Sequence, residues 1–302
     1  MSFFTPIRAS NNLITEASVP KTAVFLGGTD GIGKATLRNL VSKGFPIKVY
    51  IVGRNETGHR AMLDDLRALN PKANLIYVEG QISMVADSQR MANKTSEGLE
   101  ASQVVSYYSH IVFITSLLPQ LRAAAKSSES ARVINVLAAG QESTNLFLDD
   151  LTLKHPGRFG IPTYASHAAT SITLTLKRIS EIPENKDIVF IHSHPGKVST
   201  NLFLKSWAGT FDPSKATAAP PAGTFVELTP EESGYAEFGG NGVPVQNGRQ
   251  AAPTLAHGSR GSLFSINDKF EDDLLDDLEK MGAPQKIWDH TFDAIGSIVR
   301  VD

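Results

Sequence analysis

Seven residues, Gly27-Gly28-Thr29-Asp30-Gly31-Ile32-Gly33, separate an apolar run at 22–26 from a helical pattern marked by Leu37, Leu40 and Val41. A glycine turn between a strand and a helix dictates a βα unit, and it is the place a phosphate-binding turn must occupy. In this spacing Gly27 allows a tight exit from the strand, Gly31 a close backbone approach to phosphate, and Gly33 close packing of helix on sheet. The amides opening the helix add favourable partial charge. Gly27, Gly31, Ile32 and Gly33 are therefore the candidate phosphate-binding residues. A glycine triplet alone is a weak signal, and an ordinary turn is the alternative reading. Asp30 reads as a turn former, because its charge would repel a phosphate.

The first third alternates strand and helix at the short spacing of parallel βαβ units, which predicts an α/β fold. Strands are expected at 24–26, 47–52 and 74–78, with helices at 34–43, closed by Gly44, and at 56–69, ended before Pro71. A long apolar helical segment follows at 99–125, then a buried strand at 133–137. The next helix, 163–180, has an inner stripe of Ala168, Ile172, Leu176 and Ile179. Strands at 188–192 and 263–266 and helices at 268–281 and 285–298 complete the pattern. The expected organisation is an N-terminal extension, 1–20, and a single domain, 21–302, with an irregular lid at about 204–261.

A net charge of −2 gives no bulk attraction to nucleic acid or anionic lipid. Cysteine is absent, which removes disulfides and thiolate chemistry. No run approaches the ~20 apolar residues that span a bilayer. A soluble, cytoplasmic protein with a small-molecule substrate is the expectation.

At the end of the second strand, where a pocket selective for NAD offers a carboxylate to the ribose, the chain has Gly53-Arg54-Asn55. A guanidinium there pairs with a 2′-phosphate and favours NADP(H). A solvated loop arginine is the bland alternative. Together with Asn135, Tyr164 and the run His194-Pro195-Gly196-Lys197-Val198-Ser199-Thr200, these features resemble the short-chain dehydrogenase/reductase family, best its retinol-dehydrogenase-like members. Leu118-Pro119, 136–140 and Asp149-Asp150-Leu151 extend the likeness to fungal secondary-metabolite reductases.

The resemblance covers about 20–205 and implies a Rossmann-type doubly wound parallel sheet flanked by helices, a nicotinamide cofactor, and a catalytic Ser, Tyr, Lys and Asn set. It assigns Asn135, Pro195, Gly196, Val198 and Thr200 to the cofactor, the last four as the loop contacting its carboxamide. It also implies pairing into a homodimer or homotetramer through 99–125 and 163–180.

Tyr164 matches the family's proton donor, but the lysine four residues on is Ala168 here. His167 is either a partial cationic substitute or an ordinary packed helix residue. The family serine is replaced at Ala138, leaving Ser143 as the nearby hydroxyl, off register, and the supporting helix asparagine falls at Ser106. Residues 81–98 cannot hold the helix and central strand the family needs, so the usual fourth strand is expected to be lacking. His192 and His194 alternate at a strand end, but no third metal ligand accompanies them. The leading expectation is an NADP(H)-dependent oxidoreductase acting on a ketone or secondary alcohol of an apolar metabolite. The rivals are an NADP(H)-binding pseudoenzyme and a non-redox cyclase or isomerase.

Overall fold

The computed structural model describes residues 11–80, 103–127, 131–195, 263–266, 272–296 and 299. They fall into two compact units.

The first unit is built from β1 (Thr22–Leu26), α1 (Gly31–Val41), β2 (Ile47–Gly53), α2 (Arg60–Leu69) and β3 (Ala73–Glu79). The strands form a parallel sheet in the order β1-β2-β3, with Leu26 opposite Val52 and Gly53 opposite Glu79. β2 runs through the middle and buries Ile47, Val49, Ile51 and Val52. Leu37 and Val41 of α1 and Leu63 and Leu66 of α2 pack into the same core, as residues spaced three or four apart on one helix face should. Gly44 sits beyond α1 at φ +73°, the conformation that turns the chain back toward β2. The buried Asn70 amide then ties α1 to β2 by donating to the carbonyls of Val41 and Phe45.

The second unit holds a π-helical turn (Val104–Tyr108) leading into α3 (Ser109–Lys126), β4 (Ala131–Val136), α4 (Ile161–Ser180), β5 (Ile188–Ser193), β6 (Leu263–Ile266), α5 (Asp272–Lys280) and α6 (Ala283–Ile295). Its sheet is again parallel, β4-β5-β6, with Asn135 opposite His192. Both units are thus Rossmann-type α/β in style, parallel strands flanked by helices. The stripe Ala168, Ile172, Leu176 and Ile179 of α4 is buried, as its spacing requires. α6 buries Ile287, Thr291 and Ile295 by the same periodicity.

The segment expected to lack the fourth strand, 81–98, and the lid, 204–261, lie outside the described residues. Val24 and Leu26 of β1 and Ile134 and Val136 of β4 remain exposed. One sequence expectation is corrected: the helix Val104–Lys126 is, by length and composition alone, long and apolar enough to cross a membrane. Its Tyr107, Tyr108, Ile111, Ile114 and Leu118 are nevertheless packed in the core of the second unit.

Candidate active site

In the first unit the glycine turn is shaped by its backbone. Gly27 has φ +79° and Gly31 φ +52°, where a side chain would strain the chain. A Cβ on Gly33 would overlap the Gly27 carbonyl oxygen and lie 3.1 Å from its carbon. The helix start is thereby pressed onto the turn, and the backbone at Gly27 and Gly33 is bare. Asp30 is the N-cap: its carboxylate accepts the Gly31 N–H at 2.9 Å. It spends its charge on the helix start, as a turn former does. A cradle that excludes side chains and opens a helix fits the phosphates of a dinucleotide.

At the end of β2, Gly53 has no room for a Cβ because the Tyr77 hydroxyl and the Thr29 methyl lie over it. The Asn55 N–H donates to the Tyr77 hydroxyl, and the His59 ring stacks on Tyr77 with centroids 6.4 Å apart. Arg54 beside them is exposed and has no ion-pair partner among the described residues, so its guanidinium is available to an incoming phosphate.

In the second unit Tyr164 lies in the first turn of α4, and its hydroxyl is hydrogen-bonded to Ser106 Oγ. Ser106 belongs to the π turn, in which the Ser109 N–H reaches back to the Val104 carbonyl. The extra residue in that turn, a device frequent at functional sites, lets three consecutive hydroxyls find separate partners. Ser106 takes Tyr164. Tyr107 bonds to Thr175 Oγ1 at 2.7 Å and Thr291 Oγ1 at 2.5 Å. Tyr108 bonds to His290 Nε2 at 2.7 Å. Burial pushes the Tyr107 phenol up to about 12, against the pull of its two threonine bonds. Burial also raises Tyr108, with Tyr107 adding to the effect. Neither is a proton donor near neutral pH. Tyr164, Tyr108, His167, Ser171, Ile287 and His290 line a small solvent-open recess.

His167 is corrected as a source of positive charge. It is buried, its Nε2 accepts the Phe147 N–H at 3.1 Å, and Nδ1 is sealed with no partner. Burial holds its imidazole below the usual histidine range, with Asp150 opposing, so it is neutral at pH 7. Ser143 is not brought to Tyr164 by any described contact. Its Oγ accepts the Asn145 N–H at 3.0 Å, and its own N–H goes to Thr170.

Asn135 is buried on β4. Its Oδ1 is bonded to His110 Nδ1, while Nδ2 is buried without a partner. His192 is fully buried with both ring nitrogens engaged: Nδ1 by Thr173 Oγ1 at 2.8 Å and Nε2 by the Ala138 N–H at 3.4 Å. Thr173 in turn donates to the buried Glu142 carboxylate, which also accepts the Gly140 N–H. That network braces the turn after β4 and leaves His192 no lone pair for a metal. Pro195 is half-buried just beyond β5. Gly196, Val198 and Thr200 lie outside the described residues. Ser106 stands where the family has asparagine, and nothing in the sequence pattern marks His110.

Comparison with known proteins adds three findings. Oxidoreductase AN1596 of Emericella nidulans is 29% identical over 89% of this chain and 91% of its own. Oxidoreductase andH of Emericella variicolor is 31% identical over 68% and 66%. The short chain dehydrogenase/reductase dpchH of Colletotrichum higginsianum is 30% identical over 44% and 40%. No family model matches the chain. The glycine turn, the arginine that follows β2, the tyrosine on α4 and these relatives agree: the chain is consistent with the short-chain dehydrogenase/reductase family.

Proposed function

We propose that this protein is an NADP(H)-dependent oxidoreductase that interconverts a ketone and a secondary alcohol on an apolar metabolite, in secondary metabolism and in the cytoplasm. The observation that carries the reading is the hydroxyl of Tyr164, a residue that lines a small solvent-open recess, bonded to Ser106. The names of the fungal relatives, which are oxidoreductases, support it. The bare turn at Gly27, Gly31, Ile32 and Gly33 would hold the pyrophosphate, and Arg54 the 2′-phosphate. The unpaired Asn135 amide and the Pro195 loop are the further candidate cofactor contacts. When bound, the cofactor supplies or accepts the hydride. Tyr164 exchanges the proton with the substrate oxygen, and Ser106 holds the phenol in position and shares its proton. Core packing of the inner face of the helix Val104–Lys126 favours water over a bilayer as its setting.

The test is direct. Purified protein titrated with NADPH and NADH is expected to bind NADPH at least ~10-fold tighter, the yield of one charge-assisted phosphate contact. It is also expected to oxidise NADPH with at least one member of a panel of apolar ketones. Absence of NADPH binding overturns the reading. A second reading, an NADP(H)-binding pseudoenzyme, is favoured by one observation: buried Ala168 stands where the family has lysine. NADPH binding without turnover on any ketone selects it.

A further inference from the structure

A phenol ionises near pH 10 unless a neighbour helps it, and neither Ala168 nor neutral His167 does so. The second unit holds another candidate. His110 sits in the first turn of α3, just past the π turn that carries Ser106 and four residues after it. Its Nδ1 is bonded to Asn135 Oδ1. An amide oxygen only accepts, so Nδ1 carries the proton and Nε2 keeps its lone pair. That is the arrangement of a histidine base oriented by a third group. The ring is half-buried, and Nε2 has no partner among the described residues. The other imidazoles near α4 are committed elsewhere, His167 to the Phe147 amide and His192 to Thr173 and Ala138.

Resting on the oxidoreductase reading above, we propose that His110, oriented by Asn135, is the proton-relay group for the Ser106–Tyr164 pair and takes over the task of the missing lysine. In alcohol oxidation the substrate C–H leaves as hydride to the oxidised nicotinamide dinucleotide, and the hydroxyl proton passes to the Tyr164 oxygen. Tyr164 gives its own proton to Ser106. Ser106 gives its own, through one water, to His110 Nε2, and the imidazolium releases it to solvent. Each hydroxyl gains one proton and loses one, and reduction runs the same path backwards. His110 acts through Ser106 and is a positioning residue, not a group that touches substrate. The groups facing it are Asn135 on β4 and His192 on β5 with Thr173 and Glu142 behind it. Burial lowers the His110 imidazole, the Asn135 bond opposes this and His192 adds to it, so the neutral base prevails at pH 7.

Two measurements test the relay on the full chain. Imidazole ¹⁵N NMR is expected to show His110 as the Nδ1–H tautomer. The pH profile of kcat for NADP⁺ reduction is taken with the most rapidly oxidised of 2-octanol, cyclohexanol and 1-phenylethanol. His110→Gln is expected to lower kcat about 100-fold and abolish the acid limb, with melting temperature and NADP⁺ affinity unchanged. Asn135→Asp, which sets a carboxylate on the ring, is expected to move that limb up by about one pH unit. An Nε2–H tautomer, or an acid limb that survives His110→Gln, overturns the relay alone. NADPH binding with no turnover of any alcohol or ketone overturns the oxidoreductase reading and the relay with it.

Discussion

Gly33→Ala places a methyl group where the first unit leaves no space. The new carbon would overlap the Gly27 carbonyl oxygen and stand 3.1 Å from the Gly27 carbonyl carbon and 3.3 Å from Gly28 Cα. All three atoms are backbone, so nothing can rotate away and the turn itself must move. Overpacking of this kind costs about 1–3 kcal/mol, while alanine returns about 0.5–1 kcal/mol of helix preference. A net loss of about 1 kcal/mol in stability is expected. The affinity loss is larger in effect, because the displaced atoms are those that would face the pyrophosphate: NADPH binding should weaken about tenfold or more, or about 1.4 kcal/mol. Gly44→Ala is the control. Gly44 has φ +73° with open space around it, so alanine there strains the backbone by about 1–2 kcal/mol and leaves the turn intact. Fluorescence titration with NADPH and thermal melts on both variants separate the effects. The reasoning is refuted if Gly33→Ala binds NADPH like the unaltered chain, or if Gly44→Ala loses as much affinity.

Tyr164→Phe removes the hydroxyl bonded to Ser106, and turnover should fall at least ~100-fold in a ketone-dependent NADPH assay while NADPH still binds. Arg54→Ala should weaken NADPH about tenfold and leave NADH unchanged in parallel titrations, and equal losses for both would remove its role at the 2′-phosphate. His110, His167, His194 and His290 are all held below the usual histidine value of 6.5, in each case chiefly by burial. The unfolded chain therefore binds more protons than the folded one below about pH 6.5, and stability should fall as pH drops through that value. Melts between pH 7.5 and 5.5 check this, and His167→Gln should flatten the slope.

Strand and helix positions were legible from periodicity, since a buried stripe such as Ala168, Ile172, Leu176 and Ile179 is written at helical spacing. The turn at Gly27–Gly33 was legible for a similar reason: a backbone that admits no Cβ forces glycine at fixed positions. Arg54 could be placed because it follows directly from the end of a strand. The chain alone thus determined the α/β pattern and the phosphate-shaped turn, both local consequences of neighbouring residues.

Tertiary structure decided the partners of the polar side chains. Ser106 meets Tyr164 across 58 positions of sequence, and Tyr107 meets Thr291 across 184. No local pattern records such pairings. His167 carries the residue type of a cation, yet burial against Phe147 keeps it neutral, and Ser143 turns its hydroxyl to its own loop. His110 looked like any helix residue until folding set Asn135 against its ring. Residue type fixes which protons a side chain can carry, but burial and the neighbour brought up by the fold decide whether it carries them.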